Sequence, residues 1–281
     1  MSALVATDLD RTMIYSRAAG ARDVDRCVEV YDGAPLSYMT EAAAGLLAAL
    51  ADRTPVVPVT TRTRGQFERI ELPGGPFRFA VVSNGGRILH AGENDDPWRR
   101  RVVAAAATSA TLAEVHADLL TRIHTDWVGK VRVADDLFCY LVVEPSRQPA
   151  DFLAQWHAWC EPRGWSVSQQ GRKIYAMPHA VTKSAAVAHV RDRLIDDGLL
   201  RPDAPVLAAG DGRLDADLLT YADRAIRPRH GELEESGWTT DNLRITDSSG
   251  IMAGEEILRW FADRSTESSA PDAPVVVHSE P

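Results

Sequence analysis

The sequence contains little cysteine and no long apolar segment. Its three cysteines, Cys27, Cys139 and Cys160, lie far apart and match no metal-ligand spacing. We therefore expect neither a disulfide framework nor a cysteine metal site, and we expect the thiols to be buried in a protein of the reducing cytoplasm. No apolar run approaches the roughly 20 residues of a membrane span, and no basic segment precedes an apolar stretch at the N-terminus. These absences argue against a membrane protein and against a secretory signal.

Positive charge, and lysine in particular, is also scarce. The formal net charge is −9 at pH 7 and no basic stripe is present, which argues against a nucleic-acid partner. A small anionic substrate would therefore need local positive charge from a metal ion or from a basic side chain. The 31 basic residues include only three lysines, which makes each of them a candidate for a specific role: Lys130, Lys173 and Lys183.

Short apolar segments alternate with helical patterns through much of the chain. At 281 residues and 45% hydrophobic composition, the chain can bury one large core or two modest ones. The apolar segments predict buried parallel strands at residues 3–7, 55–59, 79–82 and 206–209. The helical patterns cover residues 40–50, 183–197 and 216–221, with Thr40 as an N-cap. This alternation predicts a doubly wound α/β core with a parallel sheet.

The middle of the chain has a different pattern. It predicts a helix over 100–123, a hairpin of strands 129–133 and 138–143 around an Asp135–Asp136 turn, a helix over 150–160 and two strands that flank Gly171. We therefore divide the chain into a core of residues 1–86 and 177–264, an inserted α+β cap domain of residues 87–176, and a disordered tail of residues 265–281.

Carboxylates follow two of the predicted strands. Asp8 and Asp10 come directly after the first strand, and Asp211 and Asp215 follow the strand at 206–209. Ligands of open α/β sheets bind at the carboxyl ends of the strands. Two carboxylates about 4 Å apart repel each other by roughly 4 kcal/mol at an effective dielectric constant of 20. Four of them therefore predict a bound cation, and an all-oxygen ligand set favours Mg²⁺. The alternatives are an acidic turn after the first strand, an N-cap at Asp215 and an Asx turn at Asp211.

Two further side chains suit a phosphate group. Thr60 ends the strand at 55–59, where its hydroxyl can donate a hydrogen bond to a phosphate oxygen. Lys183 opens a predicted helix, whose N-terminal N–H groups already favour an anion. The alternatives are an ordinary strand-end threonine and a solvated surface lysine.

In this order, the D-x-D-x-T segment, the strand-end threonine, the lysine and the G-D-x-x-x-D segment resemble the four motifs of the haloacid dehalogenase superfamily of phosphotransferases. The resemblance runs from Leu4 to Asp215. The segment V-S-N-G-G at residues 82–86 is similar to the junction that leads into the α/β cap of the superfamily's sugar-phosphatase or Cof-like branch, which includes sucrose-phosphate phosphatase and phosphomannomutase. The chain departs from the pattern at Arg11, Thr61 and Leu214 and has a longer segment over residues 15–39.

The resemblance implies a role for each motif. Asp8 would be the nucleophile that forms an aspartyl-phosphate, and Asp10 would be the general acid and then the base. Mg²⁺ would be bound by the Asp8 and Asp211 carboxylates and the Asp10 main-chain carbonyl, with Asp215 assisting directly or through water. The residues that would hold the phosphoryl oxygens are Thr60 and Lys183.

We therefore expect a Mg²⁺-dependent phosphomonoesterase of the cytoplasm that acts on a small phosphorylated metabolite such as a sugar phosphate. A phosphomutase is the alternative, and a non-catalytic sensor fits four intact motifs less well. The candidates for substrate contacts, with solvated strand faces as the alternative interpretation of the cap residues, are Asn84, Lys130, Arg132, Arg172 and Lys173. The substrate's identity and the oligomeric state stay open.

Overall fold

The computed structural model describes residues 3–266 of the chain. In chain order the strands are β1 (Leu4–Thr7), β2 (Arg26–Tyr31), β3 (Ala34–Met39), β4 (Val56–Pro58), β5 (Phe79–Val82), β6 (Arg87–His90), β7 (Glu93–Asn94), β8 (Val128–Ala134), β9 (Phe138–Val143), β10 (Trp165–Gln170), β11 (Lys173–Pro178), β12 (Val206–Ala209), β13 (Arg224–Arg227) and β14 (Leu243–Ile245). The helices are α1 (Glu41–Ala51), α2 (Arg64–Phe67), α3 (Asp96–Ala106), α4 (Leu112–Arg122), α5 (Phe152–Cys160), α6 (Lys183–Asp196), α7 (Ala216–Tyr221), α8 (Glu232–Glu235) and α9 (Ile251–Arg264).

The central sheet has five parallel strands in the order β14-β13-β12-β1-β4. Every residue of β1 is buried, as expected of an apolar strand that is covered on both faces. Leu4 and Ala6 belong to a hydrophobic cluster that includes residues of α6 and α7, whereas Val5 belongs to a second cluster with residues of α1 and α9. The predicted doubly wound α/β core is therefore confirmed.

The predicted core elements agree with the structure to within one or two residues at each end. Thr40 is the N-cap of α1, because its hydroxyl accepts a hydrogen bond from the Ala43 N–H at 3.0 Å. Thr182 caps α6 in the same way through the Ala185 N–H at 3.3 Å. This cap fixes the start of α6 and therefore the place at which Lys183 leaves the backbone.

The single helix predicted over residues 100–123 is wrong. Two helices, α3 and α4, occupy this region, and each has its own N-terminal cap. Asp95 accepts from the Trp98 N–H at 2.9 Å, and Thr111 forms a capping box with Glu114. The alanine-rich composition continues across the break, but the Thr111 capping box starts a new helix after it.

The long segment over residues 15–39 contains the β2–β3 hairpin. Its two-residue turn consists of Asp32 and Gly33, which both have positive φ angles, of 50° and 76°. Such angles are typical of the turns that join two antiparallel strands. The hairpin stands over the carboxyl end of the central sheet, where Glu29 of β2 contacts Arg62.

The inserted region forms a second sheet, which is antiparallel and has the order β10-β11-β9-β8. The predicted turn at Asp135 and Asp136 is confirmed, since both have left-handed φ angles, of 51° and 54°. Side chains of one face, such as Leu141, pack in the same hydrophobic cluster as Leu119 of α4 and Trp156 of α5. The opposite face is free to line the space above the central sheet.

The predicted domain boundaries stay a prediction. Residues 87–94, which we assigned to the cap, form β6 and β7 and pair with β5 instead of the cap sheet. β5 is joined to the edge of the core by a parallel bridge between Val59 and Val81. Of the predicted tail, residues 267–281 lie outside the described residues.

Two of the three thiols are buried as predicted. Burial raises the pKa of Cys139 and of Cys160 to about 12. The prediction is wrong for Cys27, which is exposed on β2, at the edge of the hairpin. Within residues 3–266, no helix combines the length and the apolar character that a bilayer crossing requires.

Candidate active site

The site lies at the carboxyl ends of three neighbouring strands, β4, β1 and β12. Asp8 follows β1, Thr60 follows β4 and Asp211 follows β12, so the parallel arrangement brings the three loops to one edge of the sheet. The Asp8 N–H donates to the Ala209 carbonyl at 2.9 Å, which ties the first loop to the end of β12. Residues 201 positions apart in the chain therefore meet here.

Three carboxylates form a buried cluster at this edge. Oxygens of Asp8, Asp211 and Asp215 lie within 4.8 Å of one another. The Gly212 N–H donates to Asp215 Oδ2 at 2.8 Å and orients that carboxylate. Glycine is required beside the cluster, because a Cβ on Gly231 would lie 2.5 Å from Asp211 Oδ2. This backbone approach leaves a compact pocket of carboxylate oxygens, the donor set that Mg²⁺ prefers.

Lys183 is the cation of the cluster. Its Nζ is buried and donates to Asp8 Oδ1 at 2.7 Å and to Asp215 Oδ1 at 2.5 Å. The junction at residues 82–86 packs against Thr182, the residue before Lys183. A Cβ on Gly85 would lie 2.0 Å from the Thr182 carbonyl oxygen. The absence of a side chain at Gly85 therefore allows Lys183 to reach the carboxylates.

Asn84 connects two segments of the site instead of lining an open cleft. It is buried with a left-handed φ angle of 56°. Its N–H donates to the Thr60 carbonyl at 2.9 Å, and its side-chain amide donates to the Val181 carbonyl at 3.2 Å. Thr60 is fully buried, and its hydroxyl oxygen accepts from the Arg62 N–H at 3.1 Å, which leaves the hydroxyl proton available to another acceptor.

The three carboxylates cannot all carry their charge at neutral pH without help. Burial and, after it, the charge of Asp215 raise the pKa of Asp8, and Lys183 opposes both; the net result is a pKa of about 7. Burial also raises the pKa of Asp211 well above its usual range, assisted by the charges of Asp8 and Asp215. One lysine does not balance three buried carboxylates, so a divalent cation fits the site both in charge and in donor chemistry.

The Asp10 side chain is outside this cluster. Arg62 holds it through two hydrogen bonds, from Nε to Oδ2 at 2.7 Å and from Nη2 to Oδ1 at 2.8 Å. Burial would raise the pKa of Asp10, but the hydrogen bonds and the charge of Arg62 more than offset it, so that the pKa is lowered. The predicted role of Asp10 in metal binding, which involves its main-chain carbonyl, is compatible with this side-chain position.

Arg62 also joins the site to the β2–β3 hairpin. Its Nη1 donates to Glu29 Oε1 at 2.7 Å, and the Glu29 carboxylate is buried and also accepts from Ser37 Oγ at 2.6 Å. We did not predict this contact, although Arg62 directly follows the two threonines at the end of β4. The position of Arg62 after this strand could have marked it as a site residue, but nothing in the sequence indicates that Glu29 of the hairpin is its partner.

Two other residues of the first loop contact the carboxylates. Thr12 Oγ1 donates to Asp8 Oδ2 at 3.3 Å, a contact that the D-x-D-x-T pattern contains and that we did not assign. Arg11 has a left-handed φ angle of 62°, and its Nε lies 3.5 Å from Asp211 Oδ2. Half of the Arg11 side chain is exposed, so it offsets only part of the Asp211 charge.

A cleft of about 330 Å³ opens beside Asp10, between the core, the hairpin and the cap sheet. Among the residues that we proposed for substrate contacts, the structure places Lys130, Arg132 and Lys173 in its wall. It does not bring Arg172 there, because the Arg172 Nε donates to the Val143 carbonyl at 3.2 Å and the residue lies outside the lining. The cleft therefore joins the cap residues to the acidic loop of the core.

No family model matches the sequence, and no curated protein matches it. Solved structures do resemble the chain. A sucrose-phosphatase from a Synechocystis species, in complex with sucrose and phosphate, has 16% identity and a TM-score of 0.68 over 93% of this chain and 98% of that one. The C-terminal domain of the trehalose-6-phosphate phosphatase of C. albicans has 14% identity and a TM-score of 0.58, covering 93% and 92%. A subclass IIB sugar phosphatase of the haloacid dehalogenase superfamily has 10% identity and a TM-score of 0.56, covering 93% and 99%.

Proposed function

We propose that this chain, whose fold is that of the haloacid dehalogenase sugar phosphatases, is a Mg²⁺-dependent phosphomonoesterase. The observation that carries the proposal is the buried cluster in which Lys183 binds Asp8 and Asp215 while Asp211 lies beside them. A structural core has no use for three like charges in this position, whereas a site that neutralises a phosphoryl group and a cation has.

In this mechanism Asp8 would act as the nucleophile. Its two oxygens are held by Lys183 and by Thr12, so the carboxylate has a fixed orientation at the end of β1. Attack on the phosphorus forms a bond to an Asp8 oxygen and breaks the bond to the leaving alcohol, which gives an aspartyl-phosphate. Water then attacks the phosphorus of this intermediate, and inorganic phosphate leaves.

The metal ion would be held by Asp8 and Asp211, with Asp215 and the Asp10 main-chain carbonyl assisting, and when bound it would neutralise these carboxylates and the phosphoryl oxygens. Lys183 and the free hydroxyl proton of Thr60 would bind the other phosphoryl oxygens. These residues act on charge and position, which are what a largely dissociative phosphoryl transfer requires.

Asp10 would protonate the leaving alcohol and then take a proton from the attacking water. While it is bound to Arg62, its lowered pKa favours the carboxylate, which is the form that the second step needs. For the first step Asp10 must acquire a proton, and release from Arg62 would raise its pKa and permit this. We infer that the Arg62 contact is broken before or during binding of the substrate.

We propose a small phosphorylated metabolite, in the class of sugar phosphates, as the substrate. The cleft of about 330 Å³ beside Asp10 has the size of a small-metabolite site. The solved structures with similar folds include phosphatases named for sucrose and trehalose 6-phosphate, which supports this class. The sparse cysteine content supports a cytoplasmic location.

The test is phosphate release from a panel of phosphorylated metabolites, with Mg²⁺ and with a chelator. We expect Mg²⁺-dependent release in the wild type and a loss of about 10³-fold or more in Asp8→Asn. Asp203→Asn is the matched control. It is the same substitution at an exposed carboxylate just before β12, at the other end of the sheet. Turnover retained in Asp8→Asn would contradict the covalent mechanism, and an isomerised phosphate ester without phosphate release would identify a mutase.

A further inference from the structure

The cap face that covers the site has a regular arrangement of side chains. In the antiparallel register, Lys130 of β8 and Lys173 of β11 both lie opposite Val142 of the intervening strand β9. One step along the strands, Arg132 lies opposite Tyr140. Because strands are about 4.8 Å apart, the two lysines flank Val142 at a backbone separation of about 10 Å. The three cations therefore lie around a small aliphatic side chain.

This face has no negative charge of its own. The four strands of the cap sheet contain neither aspartate nor glutamate, although the chain as a whole has 40 acidic residues against 31 basic ones. Within residues 3–266, no carboxylate forms an ion pair with Lys130, Arg132 or Lys173. The chain therefore maintains three cations without a carboxylate ion pair on one wall of the cleft, where they can bind an anionic ligand.

The core side of the cleft does not supply that anion. Arg62 and Arg69 also line the cleft, and they take up the negative charge nearby: Arg62 pairs with Asp10 and Glu29, and Arg69 Nη2 lies 3.3 Å from Glu29. Two arginines and two carboxylates balance each other. The excess positive charge of the cleft therefore comes from the three cations of the cap face.

The distribution of lysine supports the same interpretation. All three lysines of the chain lie at the site: Lys183 in the carboxylate cluster, and Lys130 and Lys173 in the cleft. Positive charge elsewhere in the chain is supplied by arginine. Lysine on a strand that faces a cleft is therefore placed for a ligand and not for general solubility.

We propose that the substrate is a phosphomonoester whose leaving alcohol carries a second anionic group, and that Lys130, Arg132 and Lys173 bind this group. The inference rests on the proposed function, because one anion, the transferred phosphoryl group, is assigned to Asp8, Lys183 and Thr60. The second anion, a carboxylate or another phosphate, then lies across the cleft on the cap sheet. Tyr140 is placed to donate a hydrogen bond to the same group or to a hydroxyl next to it.

The first experiment compares substrate pairs that differ only in the second anion. Glycerol phosphate and phosphoglycerate test a carboxylate, and a hexose monophosphate and the corresponding hexose bisphosphate test a second phosphate. We expect at least one doubly anionic member to have a KM about tenfold lower than its partner, and this advantage to shrink as KCl is raised. Equal KM values in both pairs would overturn the inference.

The second experiment removes the cap charges. Lys130→Gln and Arg132→Gln are expected to raise KM for the preferred doubly anionic substrate about tenfold each, with a much smaller change in kcat. Arg147→Gln is the matched control, since Arg147 is an exposed cap arginine outside the cleft, and it is expected to leave KM unchanged. An unchanged KM in both cleft variants would show that the second anion binds elsewhere and would refute the assignment.

Binding to Asp8→Asn separates this inference from the proposed function. Titration calorimetry with Mg²⁺ present compares the members of both substrate pairs, and we expect about tenfold tighter binding of at least one doubly anionic member, lost in the Asp8→Asn, Arg132→Gln double variant. If no panel member is hydrolysed but this difference is present, the phosphatase function fails and the anion site stands. If hydrolysis is present and the affinities are equal, the function stands and the anion site fails.

Discussion

The carboxylate cluster of the core and the cation face of the cap are unbalanced in opposite directions. In the core, three buried carboxylates share Lys183 and the half-exposed Arg11. On the cap, Lys130, Arg132 and Lys173 have no carboxylate partner within the described residues and lie on an open cleft wall. The first region is short of positive charge, and the second is short of negative charge.

The difference in burial determines what each imbalance costs. Water screens the cap cations, so their mutual repulsion is small and they cost the fold little stability when no ligand is bound. The core carboxylates are buried, and burial raises the pKa values of Asp8 and Asp211, which a bound cation would offset. The core cluster therefore affects the stability of the fold, whereas the cap face affects only what binds to it.

The largest expected effect is on stability, when the buried lysine of the carboxylate cluster is removed. Lys183→Met leaves Asp8 and Asp215 buried without their shared partner, and we expect it to lower the free energy of unfolding by about 3 kcal/mol in the presence of a chelator. Lys130→Met makes the same change on the cap face and is expected to leave unfolding unaltered. Urea unfolding of both variants measures this contrast, and equal stability of the two would contradict the distinction between the regions.

Removal of the metal ion should expose the strain in the core as a pH dependence. The pKa of Asp8 is raised from 3.8 to about 7 in the folded protein. Between these values the folded state binds more protons than the unfolded state, so stability without metal falls as pH rises from about 4 to about 7, by up to about 1.4 kcal/mol per pH unit. Saturating Mg²⁺ should remove this slope.

The control for that measurement is Asp8→Asn, which lacks the titrating group. His189 and His230 have pKa values lowered by burial, which gives a slope of the opposite sign, and both contribute equally to the two proteins. The difference in Tm between wild type and Asp8→Asn, followed over this pH range with a chelator, isolates Asp8. A difference independent of pH would show that Asp8 is not strained in the fold.

Much of the core could be predicted because its sequence signals are local. A buried parallel strand such as β1 is a short apolar run, and its carboxyl end is where Asp8 must lie whatever the strand pairs with. The position of Lys183 also followed from a helix start. The β2–β3 hairpin was missed although Asp32-Gly33 is a strong hairpin turn, because the strands beside it do not alternate regularly between apolar and polar residues.

The partners of the site residues could not be predicted in the same way. The contact between Arg62 and Glu29 joins two segments 33 positions apart, and neither segment alone indicates the other. The cap lysines could be selected because lysine is rare, whereas Arg172 was selected on charge alone and its side chain instead contacts a strand-end carbonyl. The sequence predicts which residues have suitable side chains, and the fold determines which of those side chains lie at the site.

A smaller effect is expected where the two regions meet, at Arg62. Arg62→Gln removes the hydrogen bonds and the charge that lower the pKa of Asp10, so the ionisation of Asp10 should move to higher pH. The pH profile of kcat/KM, which reports the step in which Asp10 acts as the acid, measures this as an upward shift of its alkaline limb. Arg69→Gln, which loses a contact with Glu29 but none with Asp10, is the control, and the same shift in both variants would assign the effect to Glu29 instead of Asp10.

The smallest expected effect is at Arg11, a half-exposed side chain that pairs with Asp211 of the carboxylate cluster. Arg11 has a φ angle of 62°, a conformation that glycine adopts without strain. Arg11→Gly should therefore change Tm little, since relief of the backbone offsets the loss of a weak, half-exposed pair with Asp211. Because that pair competes with a cation for Asp211, the Mg²⁺ concentration for half-maximal activity should fall about twofold to threefold. Arg11→Lys keeps the charge and should behave as wild type, and an increased Mg²⁺ requirement in Arg11→Gly would mean that Arg11 supports the site instead of competing for it.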